Sequence, residues 1–231
     1  MFIQYLQKMT LLDFPGRVAC TLFLHGCNFL CPFCHNPGLV TAPPDDASLC
    51  SEEEILSYLE KRKGILDGVA ITGGEPLLRE EIVPLLEKIK ALGYAVKIDT
   101  NGTFPDRLER IVSAGLCDYV AMDVKNCEAR YAETVGLKKL NFEPIRRSMA
   151  FLLSGAVDYE FRTTVVRELH RREDLLAAAE MIRGAKRYFL QKFNDTGDLI
   201  GGGFTAYGDE EMRALLSDVR FVLPTAELRG V

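Results

Sequence analysis

The sequence has no excess of basic residues. Its 28 lysines and arginines are outnumbered by 33 aspartates and glutamates, for a formal net charge of −5, whereas a general nucleic-acid binder presents a basic face. It also has no apolar run long enough to span a membrane, and its first residues lack the basic region, apolar core and cleavage site of a signal peptide. These absences predict a cytoplasmic protein that contacts neither nucleic acid nor a membrane.

The cysteines do not have the number or the arrangement of a disulfide framework. Seven is an odd count, so they cannot all pair within the chain, and cytoplasmic disulfides are rare. Four of them lie apart from one another and form no second C-x-x-C unit, so we expect small buried side chains without a metal. These four are Cys20, Cys50, Cys117 and Cys127.

The other three cysteines lie within eight residues, with the spacing C-x3-C-x2-C. They are Cys27, Cys31 and Cys34. An apolar run over 18–24 predicts a strand just before them, and Gly26 and Pro32 indicate a turn. Since an electron-transfer iron–sulfur cube takes four thiolates, a three-thiolate loop would leave one iron open to an outside ligand. The alternative is a structural zinc site with His35 or Cys50 as fourth ligand, although zinc sites usually pair two ligand groups across a loop.

Helices and strands alternate along most of the chain. Strands are predicted over 18–24, 68–72, 94–98, 118–122, 159–166 and 187–193, with a short final strand over 219–223. Helices are predicted near 51–63, 82–92, 105–114, 142–153, 173–183 and 209–217. Nearly all-apolar strands separated by helices are typical of a parallel sheet that helices cover.

Polar groups follow the carboxyl ends of four or more of these strands. Such a distribution is typical of a barrel whose active face lies at that end, whereas an open doubly wound sheet concentrates its site at one switch point. Six strong strands are too few for a closed eight-stranded barrel, so we predict an α/β fold, a partial (β/α)6 TIM-like barrel, in a single domain. The domain comprises a lead-in over 1–16, a barrel core over 17–195, and a Gly-rich loop, helix and short strand over 196–231.

Two motifs resemble those of the radical SAM enzymes. The cysteine spacing, with the aromatic Phe33 before Cys34, is similar to their cluster-binding signature, and the Gly-Gly-Glu-Pro segment at 73–76 is similar to their methionine-binding motif. Four further segments resemble the glycyl-radical-enzyme activating proteins, above all those of the anaerobic (class III) ribonucleoside-triphosphate reductases. They are Leu-Asp-Phe-Pro-Gly at 12–16, Cys-His-Asn-Pro at 34–37, Asp-Thr-Asn-Gly at 99–102 and Asp-Val-Lys at 123–125.

The resemblance implies a cofactor pair, a reaction and two partners. In this family a 4Fe–4S cluster on three cysteines binds S-adenosylmethionine through its open iron, and an electron from the reduced cluster breaks the sulfonium. The resulting 5′-deoxyadenosyl radical takes a hydrogen from a glycine Cα of a glycyl radical enzyme, here implied to be the anaerobic reductase. A low-potential donor such as flavodoxin or ferredoxin is implied as the electron source. The chain has no ferredoxin-like insertion, so one cluster is expected.

The resemblance also implies roles around the cluster and the methionyl group. The cluster ligands would be Cys27, Cys31 and Cys34. Phe33 would pack beside the adenine, and the backbone and carboxylate near Gly74 and Glu75 would receive the ammonium group of S-adenosylmethionine. Lys125 would meet the methionyl carboxylate, and Arg162 would face the ribose or that carboxylate.

Other positions complete the implied site. A monovalent cation beside the methionyl carboxylate is implied, since oxygen ligands suit a hard cation. Its ligands would be Asp99, Thr100 and Asp123. Asn36 belongs to the implied cofactor-binding set, and Gln191 stands in the region where formate-lyase activases carry a histidine.

Simpler interpretations of several residues stay open. Aspartates at strand ends are often turn formers, Lys125 is of a type that is often solvated, and Arg162 within an apolar strand needs an anionic partner. We predict that His35 anchors its loop, that His170 lies on the surface in a charge run, and that 201–203 is a plain loop rather than a lid. The functional alternatives are activation of another glycyl radical enzyme of the pyruvate formate-lyase type, radical chemistry on a small molecule or peptide, and a non-enzymatic zinc-binding module.

Overall fold

One eight-stranded sheet organises the molecule. The structure, a computed structural model, describes residues 3–195 and 197–231. Within these ranges the strands pair in chain order: β1 (Ile3–Thr10), β2 (Ala19–Leu24), β3 (Gly68–Gly73), β4 (Ala95–Thr100), β5 (Tyr119–Asp123), β6 (Asp158–Val165), β7 (Tyr188–Lys192) and β8 (Ala226–Arg229). β1 is antiparallel to β2, and all later pairs are parallel. β1 and β8 each have one neighbour, so the sheet is the open, partial barrel that the sequence predicts.

Helices connect the parallel strands. They are α1 (Gly38–Thr41), α2 (Glu52–Glu60), α3 (Ile82–Ala91), α4 (Pro105–Ser113), α5 (Glu128–Thr134), α6 (Glu143–Leu153), α7 (Arg172–Met181) and α8 (Asp209–Val222). The predicted capping box of α2 is confirmed, because Ser51 and Glu54 each accept a backbone N–H of the other. No helix in the described ranges is both long and apolar enough to cross a bilayer.

The two faces of the sheet differ in character. Alternate strand residues such as Leu22, Ile71 and Ile98 are fully buried in the core that the sheet forms with the helices. Because successive strand residues point to opposite faces, the intervening residues face the barrel interior. Some of them, including Thr21 and Lys97, are polar and buried. The alternation therefore allows a packed outer core and a polar interior on the same strands.

The Asp-Phe-Pro-Gly turn of the lead-in closes the amino-terminal end of the barrel. Phe14 is buried there against Ala19 and Tyr119, at a ring distance of 6.0 Å from the latter. A Cβ at Gly68 would come within 2.9 Å of the Phe14 ring, so this strand must begin with glycine. The Asp13 carboxylate accepts the Thr21 hydroxyl at 2.6 Å. This motif therefore supports the end of the sheet opposite to the cysteine loop.

One predicted strand is wrong, and several short elements were not predicted. Residues 219–222 continue α8, because Met212, Leu215, Leu216 and Val219 form one buried helical stripe; the predicted strand at 219–223 is wrong, and the last strand is β8. The lead-in contains β1, which the sequence does not reveal. Buried and exposed residues do not alternate regularly along this edge strand, so the two-residue hydrophobic pattern of a strand is missing. The short helices α1 and α5 were also not predicted. Residues 1–2 of the lead-in and residue 196 of the C-terminal segment lie outside the described residues.

Candidate active site

A cavity of about 250 Å³ opens at the carboxyl ends of the parallel strands. The strands β2 to β7, or the loops after them, each contribute to its wall. The structure brings all twelve site residues expected from the sequence to this cavity. They are Cys27, Cys31, Phe33, Cys34, Asn36, Gly74, Glu75, Asp99, Thr100, Asp123, Lys125 and Arg162, and Gln191 joins them.

The cysteine loop is held in place by backbone hydrogen bonds to other segments. The Gly26 N–H donates to the Leu39 carbonyl at 2.8 Å, and the Leu30 N–H donates to the Val135 carbonyl at 3.0 Å. Within the loop, the Cys34 N–H donates to the Cys31 carbonyl at 3.0 Å. The loop position is thus fixed by α1 on one side and by the end of α5 on the other.

The three thiols fit a metal cluster of the soft, thiolate-binding kind. All three line one cavity, and thiolates select iron–sulfur clusters or zinc. Burial raises the pKa of Cys27 to about 12 and that of Cys31 to about 11, with Lys125 opposing the shift at Cys31. A bound metal would remove these protons. Within the described residues no three His, Cys, Asp or Glu side chains converge on one ion position.

The Gly-Gly-Glu-Pro turn is joined directly to the cysteine loop. The Glu75 N–H donates to the Gly26 carbonyl at 2.8 Å, and the Gly74 N–H donates to the Leu24 carbonyl at 2.8 Å. A Cβ at position 74 would overlap the Gly26 carbonyl oxygen. Glycine is therefore required there for the two motifs to meet through their backbones.

The Glu75 carboxylate points into the protein. It accepts hydrogen bonds from the Leu77 N–H at 2.9 Å, the Thr100 hydroxyl at 2.8 Å and the Asn101 N–H at 2.7 Å. It is buried, and burial raises its pKa to about 7 although the hydrogen bonds from Asn101, Leu77 and Thr100 oppose the shift. Both oxygens thus hold the turns after β3 and β4 together. This leaves the backbone near Gly74 as the better partner for a ligand ammonium than the carboxylate expected from the sequence.

The raised pKa of Glu75 predicts a pH-dependent stability. A carboxyl whose folded-state pKa exceeds its ordinary value of 4.5 contributes stability that is present below pH 4.5 and is lost as the pH rises through 7. From pH 5 to pH 8 we expect the native chain to lose about 2.5 kcal/mol of unfolding free energy relative to the Glu75→Gln variant. Urea unfolding of both chains at each pH measures this difference.

Glu87→Gln provides the matched control for that experiment, because Glu87 is exposed on α3. Its stability difference from the native chain should stay constant between the two pH values. A native-minus-Glu75→Gln difference that is equally constant would contradict the assigned titration.

Five charged side chains form one continuous run through the barrel interior. Lys97 pairs with Asp99, and Arg162 bridges Asp99 at 3.2 Å and Asp123 at 3.1 Å. Lys125 pairs with Asp123 at 2.8 Å. The predicted anionic partner of Arg162 is thereby confirmed as two aspartates, and Lys125 is ion-paired rather than freely solvated.

The cations of this run keep its two aspartates ionised. Burial works to raise the pKa of Asp123, but Arg162 and Lys125 outweigh it and hold that pKa at about 2. The pKa of Asp99 is likewise lowered against the effect of burial, by Arg162 and Lys97. Both aspartates are therefore carboxylates at any physiological pH.

His170 is buried, and its predicted surface position is wrong. The turn after β6 folds inward, so His170 has no exposed surface. Its Nδ1 accepts the Val166 N–H at 3.1 Å, which leaves Nε2 protonated to donate to the Lys125 carbonyl at 2.7 Å. Burial lowers its pKa, consistent with a neutral ring. The ring also packs edge-to-face on Phe33 at 6.4 Å, so His170 positions two cavity residues from behind.

His35 ties the cysteine loop to the segment after β7, as predicted. Its Nε2 hydrogen-bonds the Asn194 carbonyl at 2.9 Å, and its ring stacks on Phe193 at 5.6 Å. The Gly201 N–H also donates to the Pro32 carbonyl at 2.7 Å. The glycine-rich loop is therefore attached to the cysteine loop rather than independent of it.

Sequence reasoning missed Asn101 as a cavity residue. Its Nδ2 donates to the Asn28 side chain at 2.9 Å, and its Oδ1 accepts the Thr103 hydroxyl at 2.6 Å. This links the turn after β4 to the cysteine loop. An Asn before Gly102 is a common turn former, so the local pattern alone does not distinguish this role.

The cysteines outside the loop follow the prediction for three of four positions. Cys20, Cys117 and Cys127 are buried, whereas Cys50 is partly exposed. All seven are free thiols in the described residues.

Comparison with known proteins identifies relatives in sequence. The model of the radical SAM superfamily matches residues 21–182. A Methanocaldococcus jannaschii protein named as a glycyl-radical enzyme activating enzyme is 31% identical over 190 residues, covering 80% of this chain and 77% of its own. The pyruvate formate-lyase-activating enzyme of Clostridium pasteurianum is 32% identical over 131 residues, covering 54% of this chain and 53% of that protein.

Comparison of structures supports the fold. Streptococcus suis SuiB, solved bound to S-adenosylmethionine, superposes with a TM-score of 0.68 at 15% sequence identity. The match covers 91% of this chain and 52% of SuiB, so this chain spans about half of that protein. At this identity the likeness concerns the partial barrel alone.

Proposed function

We propose, from the premise that the chain belongs to the radical SAM superfamily and is an enzyme of its glycyl-radical-enzyme activating type, that it activates an anaerobic ribonucleoside-triphosphate reductase. The observation that carries the proposal is that the three thiols, the Gly-Gly-Glu-Pro turn and the charged strand ends form one cavity. The resemblance of segments 12–16 and 34–37 supports the reductase as partner. Gln191 lines the cavity in the region where formate-lyase activases carry a histidine, which also favours the reductase over a formate-lyase.

The family uses a 4Fe–4S cluster and S-adenosylmethionine, and the residues of this chain fit both. Cys27, Cys31 and Cys34 would hold the cluster, whose chemistry when bound is to supply the electron that breaks the sulfonium of S-adenosylmethionine. The cavity loops would position the two groups against each other, because the turn at Gly74 and the cysteine loop are joined by backbone hydrogen bonds. This junction would keep the cluster-binding loop and the methionine-binding turn in a fixed relative position.

The charged run would orient the amino-acid end of S-adenosylmethionine. Lys125 and Arg162 would attract the methionyl carboxylate, and both are already fixed by Asp123. The backbone near Gly74 would receive the ammonium group. Phe33 would pack beside the adenine, with its ring held from behind by His170. Asn36 and Gln191 would offer polar groups to the remaining part of the nucleoside.

The partner's glycine would enter from the open side of the cavity. A macromolecular substrate requires a site that is not enclosed, and the cavity lies at the exposed mouth of a barrel that does not close. A low-potential donor such as flavodoxin or ferredoxin would supply the electron.

Electron paramagnetic resonance tests the partner assignment. The anaerobically loaded protein, reduced with S-adenosylmethionine present, should produce a glycyl radical doublet when mixed with the anaerobic reductase. The same reductase with its radical-site glycine changed to alanine is the control and should give no doublet. A doublet with pyruvate formate-lyase and none with the reductase would contradict the assignment. Cofactor cleavage without a radical on any such partner would instead indicate a small-molecule or peptide substrate.

A further inference from the structure

Every carboxylate oxygen of Asp99 and Asp123 has a cation from the protein as its partner. Asp99 Oδ1 pairs with the Lys97 ammonium, and Asp99 Oδ2 lies 3.2 Å from Arg162 Nη1. Asp123 Oδ1 lies 3.1 Å from Arg162 Nε, and Asp123 Oδ2 lies 2.8 Å from Lys125 Nζ. The two aspartates expected to bind a monovalent cation are therefore already neutralised by this chain.

The third expected ligand is also engaged. The Thr100 hydroxyl donates to Glu75 at 2.8 Å and accepts the Gly102 N–H at 3.1 Å. Its oxygen thus serves the turn after β4, and both partners belong to the protein.

Lys97 is the unusual member of this group. It lies on β4 two residues before Asp99, so both side chains are on the interior face of the strand. Its side chain is 2% exposed, and a buried ammonium is costly unless it is paired. The pairing with Asp99 offsets that cost and places the Lys97 ammonium directly beside the Asp99 carboxylate.

The charge of the run argues against a further cation. Lys97, Arg162 and Lys125 supply three positive charges against the two negative charges of Asp99 and Asp123. A bound metal cation would add to an existing excess of positive charge at low dielectric, where repulsion is strong. Two other carboxyls lie nearby: the oxygens of Glu75 are occupied by internal hydrogen bonds, and buried Glu160 is paired with Arg229 at 3.0 Å. The excess charge suits one anion, such as a carboxylate.

We propose that this chain binds S-adenosylmethionine without a monovalent metal cation, because the Lys97 ammonium occupies the position beside Asp99 that such a cation would take. The proposal rests on S-adenosylmethionine being the cofactor, but it is independent of which partner protein is activated.

The affinity for S-adenosylmethionine in two salts tests the proposal. The anaerobically loaded native protein should bind the cofactor equally well in potassium chloride and in tetramethylammonium chloride of equal ionic strength. Lys97→Ala should bind roughly tenfold or more weakly in tetramethylammonium, because Asp99 loses a buried partner. Potassium should restore most of that affinity by entering the vacated space. The control is Lys139→Ala, which removes an exposed lysine and should behave as the native protein in both salts.

Two outcomes would overturn the proposal. One is a native protein that loses roughly tenfold of its affinity when potassium is withdrawn. The other is a folded Lys97→Ala variant whose affinity does not respond to potassium. Failure to cleave bound cofactor or to activate a reductase would instead count against the proposed function, because neither enters this measurement.

Thallium(I), a potassium substitute with strong anomalous scattering, gives a second test that needs no variant. Crystals of the native protein with S-adenosylmethionine, soaked in a thallium(I) salt, should show no anomalous peak within coordination distance of Asp99 or Asp123. A peak there would overturn the proposal even if Lys97→Ala does not fold.

Discussion

Cys31→Ala will abolish reductive cleavage of S-adenosylmethionine by the anaerobically loaded protein. We expect the cleavage rate to fall more than roughly a hundredfold. Loss of a side chain that only orients a metal ligand already lowers activity by up to about a hundredfold, and Cys31 would itself be a ligand. Its thiol is buried on the loop that lines the cavity. Alanine offers no donor atom, and the backbone hydrogen bonds that fix the loop leave little freedom for another side chain to replace it.

Cys50→Ala is the matched control for this prediction. Cys50 is a free, partly exposed thiol in the connection before α2, where its N–H pairs with the Ile3 carbonyl. The variant should keep its iron and sulfide content, the visible absorbance of a thiolate-bound cluster, and its cleavage rate. Equal loss in Cys50→Ala, or full activity in Cys31→Ala, would contradict the ligand assignment.

Arg162→Met will lower the free energy of unfolding by about 4 kcal/mol, because removing one member of a buried ion-pair network leaves charges without partners. The side chain of Arg162 is 14% exposed. Among the ion pairs of this run, its guanidinium is the group that bridges the two aspartates. Without it, Asp99 keeps Lys97 and Asp123 keeps Lys125, but the two carboxylates face each other across a site with low dielectric. Urea-induced unfolding of the native and variant chains measures the loss.

Arg147→Met shows how much of that loss comes from burial. Arg147 also pairs with two carboxylates, Asp106 at 2.6 Å and Glu109 at 2.7 Å, but its side chain is 47% exposed. Solvent screens such pairs, and their contribution to stability is small. A loss in Arg147→Met as large as that in Arg162→Met would mean that the interior run has no special energetic role.

The sequence was sufficient to predict which segments form the site. Parallel strands all end at the same edge of a barrel, so the cysteine loop, the turn at Gly74 and the aspartates at the ends of β4 and β5 must lie near one another once the strands are recognised. Apolar runs and glycine turns made those strands recognisable. The prediction therefore needed only to identify which residues stand at the carboxyl end of each strand. The sequence shows this directly, and no knowledge of individual side-chain contacts was required.

The sequence was not sufficient to predict where each polar side chain points. Glu75 turns inward because three donors from neighbouring turns surround its carboxylate, and those donors are assembled only by the fold. His170 sits among charged residues in the sequence, yet its turn folds beneath Phe33. Lys97 interrupts an apolar strand, and its partner Asp99 is recognisable only when the interior face is known to be polar. The partners that satisfy these buried polar side chains are brought to them by the fold, so no local sequence pattern reveals them.

We propose that the three thiols and the adjoining strand ends bind S-adenosylmethionine for reductive cleavage. The most direct measurement is the quantity of methionine and 5′-deoxyadenosine formed when the anaerobically reconstituted protein is reduced with S-adenosylmethionine present. We expect both products in equal amounts, and only when the reductant is present. A protein with its full content of iron and sulfide that forms neither product would rule out this chemistry.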